Sequence, residues 1–429
     1  MIKLVVIADD FTGALDTAVQ FAKRGIKTLV TADATVDLAS FDEEIEVLTI
    51  DIESRHLNSE AAYARVQNTV AFAMSLSPQC IYLKTDSTLR GPIGAEFAAL
   101  LDETKSGALM FIPAFPKNGR TTKNGIQYVD GIPLSDTIFA NDHINPVVVS
   151  RVKAVISSGT NKKVVEVPFS EKHTEISLEG SPDGVIYVFD AETDEHLSKI
   201  GENLFRQGKC GVLSGCAGFA EILPDIFELR QHPIERSKTP GNVLIVVGSA
   251  NQISLQQISL GELYGFELYS LSPEEKIGTT EECDAKRTAL LNKAKESLMD
   301  SGKVIVATLT SKDDIDITNT YGEQVGIPAD QIPALTANNI ASITKELIGN
   351  VPIDNLVIFG GDTLMAIMDA IACKGIIPYE EIAPGVVASK ILGDKNNFTL
   401  VTKAGSFGEK DIISKIYHYL QSSENPYPA

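Results

Sequence analysis

The chain has 429 residues, 44% of them hydrophobic and 22% charged, with a formal net charge of -20 and a pI near 4.8. That length exceeds what one hydrophobic core usually organises, so two domains are expected. With no basic run to offset phosphate repulsion, the acidic balance argues against nucleic acid as a partner.

No apolar stretch approaches membrane-spanning length, and Met1-Ile-Lys3 runs straight into an apolar strand. Neither a membrane partner nor a secretory leader is expected, and the predicted location is the cytoplasm. The five cysteines (Cys80, Cys210, Cys216, Cys283 and Cys373) are scattered and form no Cys-x-x-Cys. This argues against a disulfide framework and a zinc site. Cys80 and Cys210 each open an apolar run and read as buried small hydrophobes.

Leu4-Val-Val-Ile-Ala8 predicts a buried strand. Asp9 and Asp10 follow, then Thr12 and Gly13 lead into Ala14, Ala18, Phe21 and Ala22 at helical spacing, ending at Gly25. In open parallel sheets ligands bind beyond the carboxyl ends of strands, where this Asp pair sits. Adjacent carboxylates repel. One of them could take the proton or hydrogen bond of a sugar hydroxyl, or one could cap the helix while the other is solvated. The residues leave both open.

Next come a strand over 45–50, a helix over 60–74, a strand over 80–83, a helix over 94–101 and a strand over 108–112. Such alternation implies βαβ units and a mostly parallel sheet. The 45–50 strand ends in Asp51-Ile-Glu-Ser-Arg55, which puts Arg55 beside the first turn, as a carboxylate partner or a solvated loop cation. The 80–83 strand ends in Lys84-Thr-Asp-Ser-Thr-Leu-Arg-Gly91. Its Lys84, Thr85, Asp86, Ser87 and Arg90 suit a ligand bearing carboxylate and hydroxyl groups, with Lys84 and Arg90 as carboxylate partners and Asp86 as hydroxyl acceptor.

Pro113-Ala-Phe-Pro-Lys-Asn-Gly-Arg120 opens a long loop that runs on to Pro146, with Lys117 and Arg120 as its anion binders. A helix over 146–156, a strand over 185–189, a helix over 191–205 and a strand over 212–215 follow. The polar, Pro-containing run 231–241 reads as a linker. It divides a first domain, 1–230, from a second, 242–429. The lone His56 and His143 read as ordinary polar residues.

The second domain opens with Val243-Leu-Ile-Val-Val247, then Gly248-Ser249 and a helix over 252–263. A strand spans 303–309. Leu356-Val-Ile-Phe359 runs into Gly360-Gly-Asp-Thr363 and a helix over 364–372. Phe398-Thr-Leu-Val-Thr402 runs into Lys403-Ala-Gly-Ser-Phe-Gly408 and the last helix. Three glycine-containing turns at strand ends in one domain point to a nucleotide site, since backbone N–H groups and helix N-termini suit phosphate. Asp362 could hold a metal ion or a ribose hydroxyl, or be the helix cap. There is no P-loop, Gly-x-Gly-x-x-Gly, His-Glu-x-x-His or Gly-x-Ser-x-Gly. The missing dinucleotide fingerprint speaks against a nicotinamide oxidoreductase.

Taken together, Ile7-Ala-Asp-Asp-Phe-Thr-Gly-Ala14, Lys84 to Gly91 with Ile93-Gly-Ala-Glu96, Pro113-Ala-Phe-Pro116 with Gly119-Arg120, Gly360 to Thr363 and Lys403 to Gly408 resemble the motifs of the four-carbon acid sugar kinase family, in the family's order. The resemblance implies two α/β domains, each with a mostly parallel sheet flanked by helices, and a ligand cleft between them. It implies an ATP-dependent kinase acting on the terminal hydroxyl of an acid such as threonate or erythronate. Asp10, Arg55, Lys84, Thr85, Asp86 and Ser87 would hold the acid, with Asp10 or Asp86 as general base or orienter. Ser249, Gly360, Gly361, Asp362, Thr363 and Gly405 would hold ATP. Mg²⁺ would bridge the phosphates with Asp362 as the available carboxylate, the metal ligands being otherwise unknown.

The Asp-Ser-Thr-Leu-Arg form of the second motif resembles the D-threonate branch rather than the Cys-Ser-Thr form of the D-erythronate and 3-oxo-tetronate kinases. Gly405-Ser-Phe-Gly408 departs from the usual Gly-Gly-Phe-Gly, and Pro92 replaces a polar residue. A catalytically silent sugar-acid binding protein is the alternative from another class. A homo-oligomer is left open.

Overall fold

The computed structural model describes residues 2–33, 36, 38, 44–142, 145–169, 178–233, 240–392, 398–405 and 407–422. The chain divides into two compact units, Met1–Ile234 and Glu235–Ala429. Residues 234–239 of the expected linker, and His143, lie outside the described residues.

The first unit runs β1 (Leu4–Ala8), α1 (Phe11–Ala22), β2 (Thr28–Thr31), β3 (Val47–Asp51), α2 (Ser59–Ser75), β4 (Cys80–Lys84), α3 (Ile93–Thr104) and β5 (Ala108–Ile112). It continues with β6 (Arg120–Lys123), β7 (Ile126–Val129), β8 (Ile132–Pro133), α4 (Val152–Ser157), β9 (Lys163–Val167), β10 (Val185–Phe189), α5 (Asp194–Arg206), β11 (Val212–Gly215), α6 (Ala217–Ala220) and α7 (Leu223–Ile226). The order within its main sheet is β2-β3-β1-β4-β11-β5-β10-β9, and these strands pair in parallel.

β1 is buried along its whole length, as expected of a strand covered by helices on both faces. The chain leaves it through α1 toward β2 on one side, and α2 carries it from β3 across to β4 on the other. The turns after β3, β1 and β4 therefore stand side by side at the carboxyl edge, at a reversal of strand order, where doubly wound sheets bind ligands. Tyr82, fully buried in β4, donates to the Cys216 carbonyl beyond β11 at 2.6 Å. That bond ties the neighbouring turn into the same edge.

The second unit runs β12 (Val243–Val247), α8 (Gln252–Leu263), β13 (Glu267–Ser270), α9 (Pro273–Ile277), α10 (Glu281–Asp300), β14 (Lys303–Ala307) and α11 (Asp313–Val325). It ends with α12 (Ile332–Asn350), β15 (Asn355–Phe359), α13 (Gly361–Ala370), β16 (Gly375–Ala383), β17 (Val386–Leu392), β18 (Thr399–Lys403) and α14 (Ile412–Gln421). Its strands follow the order β13-β14-β12-β15-β18-β17-β16. The first five pair in parallel, and β17 and β16 join antiparallel.

Several expectations need correction. The 113–146 loop carries an antiparallel three-stranded sheet, β6-β7-β8; its strands have two to four residues, too short to show a period. The 146–156 helix shrinks to Val152–Ser157, since Pro146 and the β-branched run Val147-Val-Val149 favour extended backbone. β2, β9, β13 and the β16–β17 hairpin were not expected. β2 has four residues, and Pro378 inside β16 hides a strand from pattern reading.

Tyr82→Phe should lower the opening free energy of this unit by about 1 kcal/mol, because one buried donor is lost while the Cys216 carbonyl keeps a bond from Ala220. Hydrogen exchange of the β4 and β11 amides measures it, and unchanged protection would show that the bond adds nothing.

Candidate functional site

Three turns meet at the carboxyl edge of the first unit. Asp10 is the N-cap of α1, and its carboxylate accepts from the Gly13 N–H at 3.0 Å and the Thr12 hydroxyl at 2.7 Å. It is also gripped in bidentate fashion by Arg55, Nη1 to Oδ2 at 2.7 Å and Nη2 to Oδ1 at 2.6 Å. Arg55 Nε reaches Asp9 Oδ2 at 2.8 Å, and Lys84 Nζ lies 3.4 Å from Asp9 Oδ1. The capping reading of Asp10 thus holds together with a charged one. Arg55, 8% exposed, is not a solvated loop cation. Gly13 leaves room for these charges, because a methyl group there would overlap Asp10 Oδ1 and Lys84 Nζ and push both side-chain ends aside.

In the turn after β4, Asp86 accepts from Arg90 Nε at 2.8 Å and Nη2 at 3.1 Å, and from the Thr88 N–H at 3.2 Å. Arg90 also reaches Asp142 at 3.3 Å, so this guanidinium is committed to aspartates. Thr85 is buried, and its N–H donates to the Gly215 carbonyl at 2.8 Å. Ser87 is half-buried, its carbonyl held by Gln127 at 3.0 Å. Leu89 (φ 58) and Glu53 (φ 45) occupy the left-handed region, strain of the kind that accumulates at functional turns. Of the loop cations, Lys117 pairs with Glu221 and Arg120 donates to the Asn118 carbonyl.

The charges set one another's ionisation. Burial alone would raise the Asp10 carboxyl, but the Arg55 guanidinium and Lys84 ammonium hold it below its ordinary value. Asp86 is likewise pushed up by burial and brought well below the carboxylate range by Arg90 and Arg55. Lys84 loses by burial and gains more from Asp9 and Asp10. Two acids go the other way. Burial, then Glu53, raises Asp51 well above its usual value. Burial, then Asp9, pushes Glu96 up to about 7, even though the Ser54 hydroxyl donates to it at 2.6 Å.

In the second unit, all six expected nucleotide residues, Ser249, Gly360, Gly361, Asp362, Thr363 and Gly405, line one cavity of about 600 Å³. They come from turns after the adjacent strands β12, β15 and β18. The turns touch: a methyl group on Gly248 would overlap Thr363 Oγ1, and one on Gly405 would lie 2.8 Å from Ser249 Oγ. The N-cap of α13 is Gly360 at φ 110, so Asp362 is a first-turn residue and not the cap. The unpaired N–H groups of that turn border the cavity, an arrangement suited to phosphate.

A nucleotide fits this glycine cradle. Among the described residues no cluster of three His, Cys, Asp or Glu side chains is placed to hold a metal; a cation there would rest chiefly on phosphate oxygens, with Asp362 the carboxylate on the lining.

In the sequence Lys403 stands out only as part of the Lys403–Gly408 motif. It is 1% exposed and donates to the carbonyls of Ala404 and Gly405 at 3.1 Å and of Phe407 at 3.0 Å. Its ammonium lies 4.6 Å from the centre of the Phe359 ring, and burial pushes its pKa down to about 7. It moulds the Gly405 turn from beneath. Ser406 lies outside the described residues.

The rest of the lining, Lys276, Thr308, Thr318, Asn319, Ile332 and Pro333 among others, comes from β14, α9, α11 and α12 or the turns beside them. The legible signals there are the 303–309 strand, which leads to Thr308 and Leu309, and the capping box Ser272-Pro-Glu-Glu275.

Comparison with known proteins agrees with this layout. Residues 4–223 match a sugar-binding N-terminal domain, and residues 244–413 match a nucleotide-binding C-terminal domain. The chain is 28% identical to a D-threonate kinase of Salmonella typhimurium, over 98% of each chain. It is 27% identical to a D-erythronate kinase of Heliobacterium modesticaldum, over the full length of both. A crystal structure of a protein from Salmonella typhimurium LT2 has the same fold, with a TM-score of 0.80 and 21% identity, covering 97% of this chain and 99% of that one.

Fold, cavity and domain matches define a two-domain kinase. The chain belongs to the four-carbon acid sugar kinase family. Among the described residues no helix is long and apolar enough to cross a membrane.

Two outcomes are expected. Lys403→Met should raise the KM for ATP roughly ten-fold while kcat changes little, since lost turn shape weakens binding of ground and transition state alike; steady-state kinetics separates the two. Glu96, raised from 4.5 to about 7, contributes stability that is complete below pH 4.5 and lost as pH rises through about 7. The Tm of the native protein should therefore fall relative to Glu96→Gln across that window.

Proposed function

We propose that the chain transfers a phosphoryl group from ATP to the terminal hydroxyl of a four-carbon sugar acid, D-threonate, giving 4-phospho-D-threonate. In this reading residues 1–230 bind the acid, 242–429 bind the nucleotide, and 231–241 connect them. The observation that carries it is Asp10, a carboxylate whose side chain keeps 18% of its surface open at the end of a central buried strand while buried Arg55 and Lys84 hold its charge. D-threonate is favoured by the Asp86-Ser-Thr-Leu-Arg90 sequence and by a relative of that name.

ATP with Mg²⁺ supplies the electrophilic phosphorus and neutralises its oxygens. Asp10 accepts the hydrogen bond of the terminal hydroxyl and receives its proton. Its lowered basicity suits a transfer in which positioning outweighs proton abstraction. Arg55 fixes the Asp10 carboxylate in the bidentate plane. Lys84, with the guanidinium N–H groups that Asp9 and Asp10 leave over, meets the carboxylate of the acid. Thr85, Ser87 and Asp86 orient its hydroxyls, Asp86 being held still by Arg90.

ATP consumption with Mg²⁺ against D-threonate, L-threonate, D-erythronate and 3-oxo-tetronates in parallel tests the reading. D-threonate should turn over fastest, and Asp10→Asn should lower kcat at least 10²-fold, within the range of general-base losses. Turnover on another of these acids would reassign the substrate. Silence on all of them with ATP bound would favour a binding protein, and normal kinetics in Asp10→Asn would remove Asp10 from the chemistry.

A further inference from the structure

Lys276, near the end of α9, is a buried cation that no motif marks. It is 3% exposed and lies on the lining of the nucleotide cavity. Its Nζ donates to Thr318 Oγ1 at 3.1 Å. That hydroxyl in turn donates to the Asp314 carbonyl at 2.6 Å, so its lone pair faces the lysine. An ammonium has three N–H groups to place, and among the described residues Thr318 takes the one hydrogen bond Nζ makes. Burial pushes the Lys276 pKa down, and Asp314 and Glu275, acting without a hydrogen bond to it, return part of the shift. A buried charge is costly to leave under-partnered.

The backbone position is fixed independently, since Asn339 of α12 donates to the Lys276 carbonyl at 2.7 Å. The residue is thus held on the lining with donor capacity to spare.

Position decides what it would meet. The phosphate-suited N–H groups come from the strand-end turns and α13. Lys276 belongs to the part of the lining contributed by α9, α11 and α12, where Ile315, Ile332, Pro333 and Ala337 present apolar surface. A flat heterocycle fits apolar walls, and its in-plane ring nitrogens are acceptors without charge. We propose that Lys276 donates a hydrogen bond to a ring nitrogen of the purine base of the bound nucleotide. This rests on the kinase reading above.

Calorimetric titration of adenosine, ADP and ATP into the native protein and Lys276→Met tests it, with 1-deaza-, 3-deaza- and 7-deaza-ATP as further ligands. The methionine keeps the buried stem and removes the charge. Lys276→Met should weaken adenosine, ADP and ATP by the same factor, roughly ten-fold or more. One deaza analogue should bind the native protein more weakly by a similar factor, yet match ATP in the variant. The native-protein titrations stand even if the variant folds poorly. Equal binding of ATP by both proteins, a loss that grows with the number of phosphates, or no discrimination among the deaza analogues by the native protein would overturn the inference alone. A native protein that binds none of these ligands would overturn the kinase reading as well.

Discussion

Two carboxylates side by side at the end of a buried strand repel each other, and the cost of that repulsion grows as water is removed. In this protein one guanidinium answers both. Arg55 spans Asp9 through Nε and Asp10 through both terminal nitrogens, and only a planar fork with donors on adjacent edges can do so. The rest of the first unit's edge depends on that arrangement. Asp10 is free to cap α1 because its charge is already shared. Lys84 can be buried because Asp9 lies within reach. The turns after β3 and β4 are held against the turn after β1 by the same charges.

The second unit solves a different problem by different means. It has no P-loop, and its cavity is bordered by glycine-bearing turns from three adjacent parallel strands. Turns without side chains have little to fix their shape, so other elements supply it. Lys403 gathers the carbonyls of Ala404, Gly405 and Phe407, and Gln257 of α8 gathers those of Phe407, Gly408 and Glu409 at 3.3, 3.1 and 3.0 Å. Lys403 and Gln257 thus fix the carbonyls of the turn after β18.

The two units therefore hold charge in opposite senses. In the first, buried aspartates and cations neutralise one another, and Asp10 and Asp86 stay ionised. In the second, the buried cations Lys276 and Lys403 lack a carboxylate partner among the described residues and bond only to neutral oxygens.

The amino-acid sequence by itself determined the strand–turn–helix units that carry chemistry. Apolar runs such as Leu4–Ala8, Val243–Val247 and Leu356–Phe359 are long enough to show their period, and the polar or glycine-rich turns after them are local features. From these the α/β class, the turns of Asp10, Arg55 and Lys84–Arg90, and the six residues that line the second unit's cavity were legible. What only the tertiary structure decided is which of these groups satisfy one another. Arg90 and Lys84 read as donors awaiting a carboxylate, and Arg90 is committed to Asp86 and Asp142. That Asp10 both caps a helix and holds Arg55 follows from strand order, which sets β3 beside β1. Lys276, Thr318 and the α11–α12 wall of the cavity were invisible for the same reason: their meaning comes from helices far apart in sequence packing together, and no local pattern encodes that.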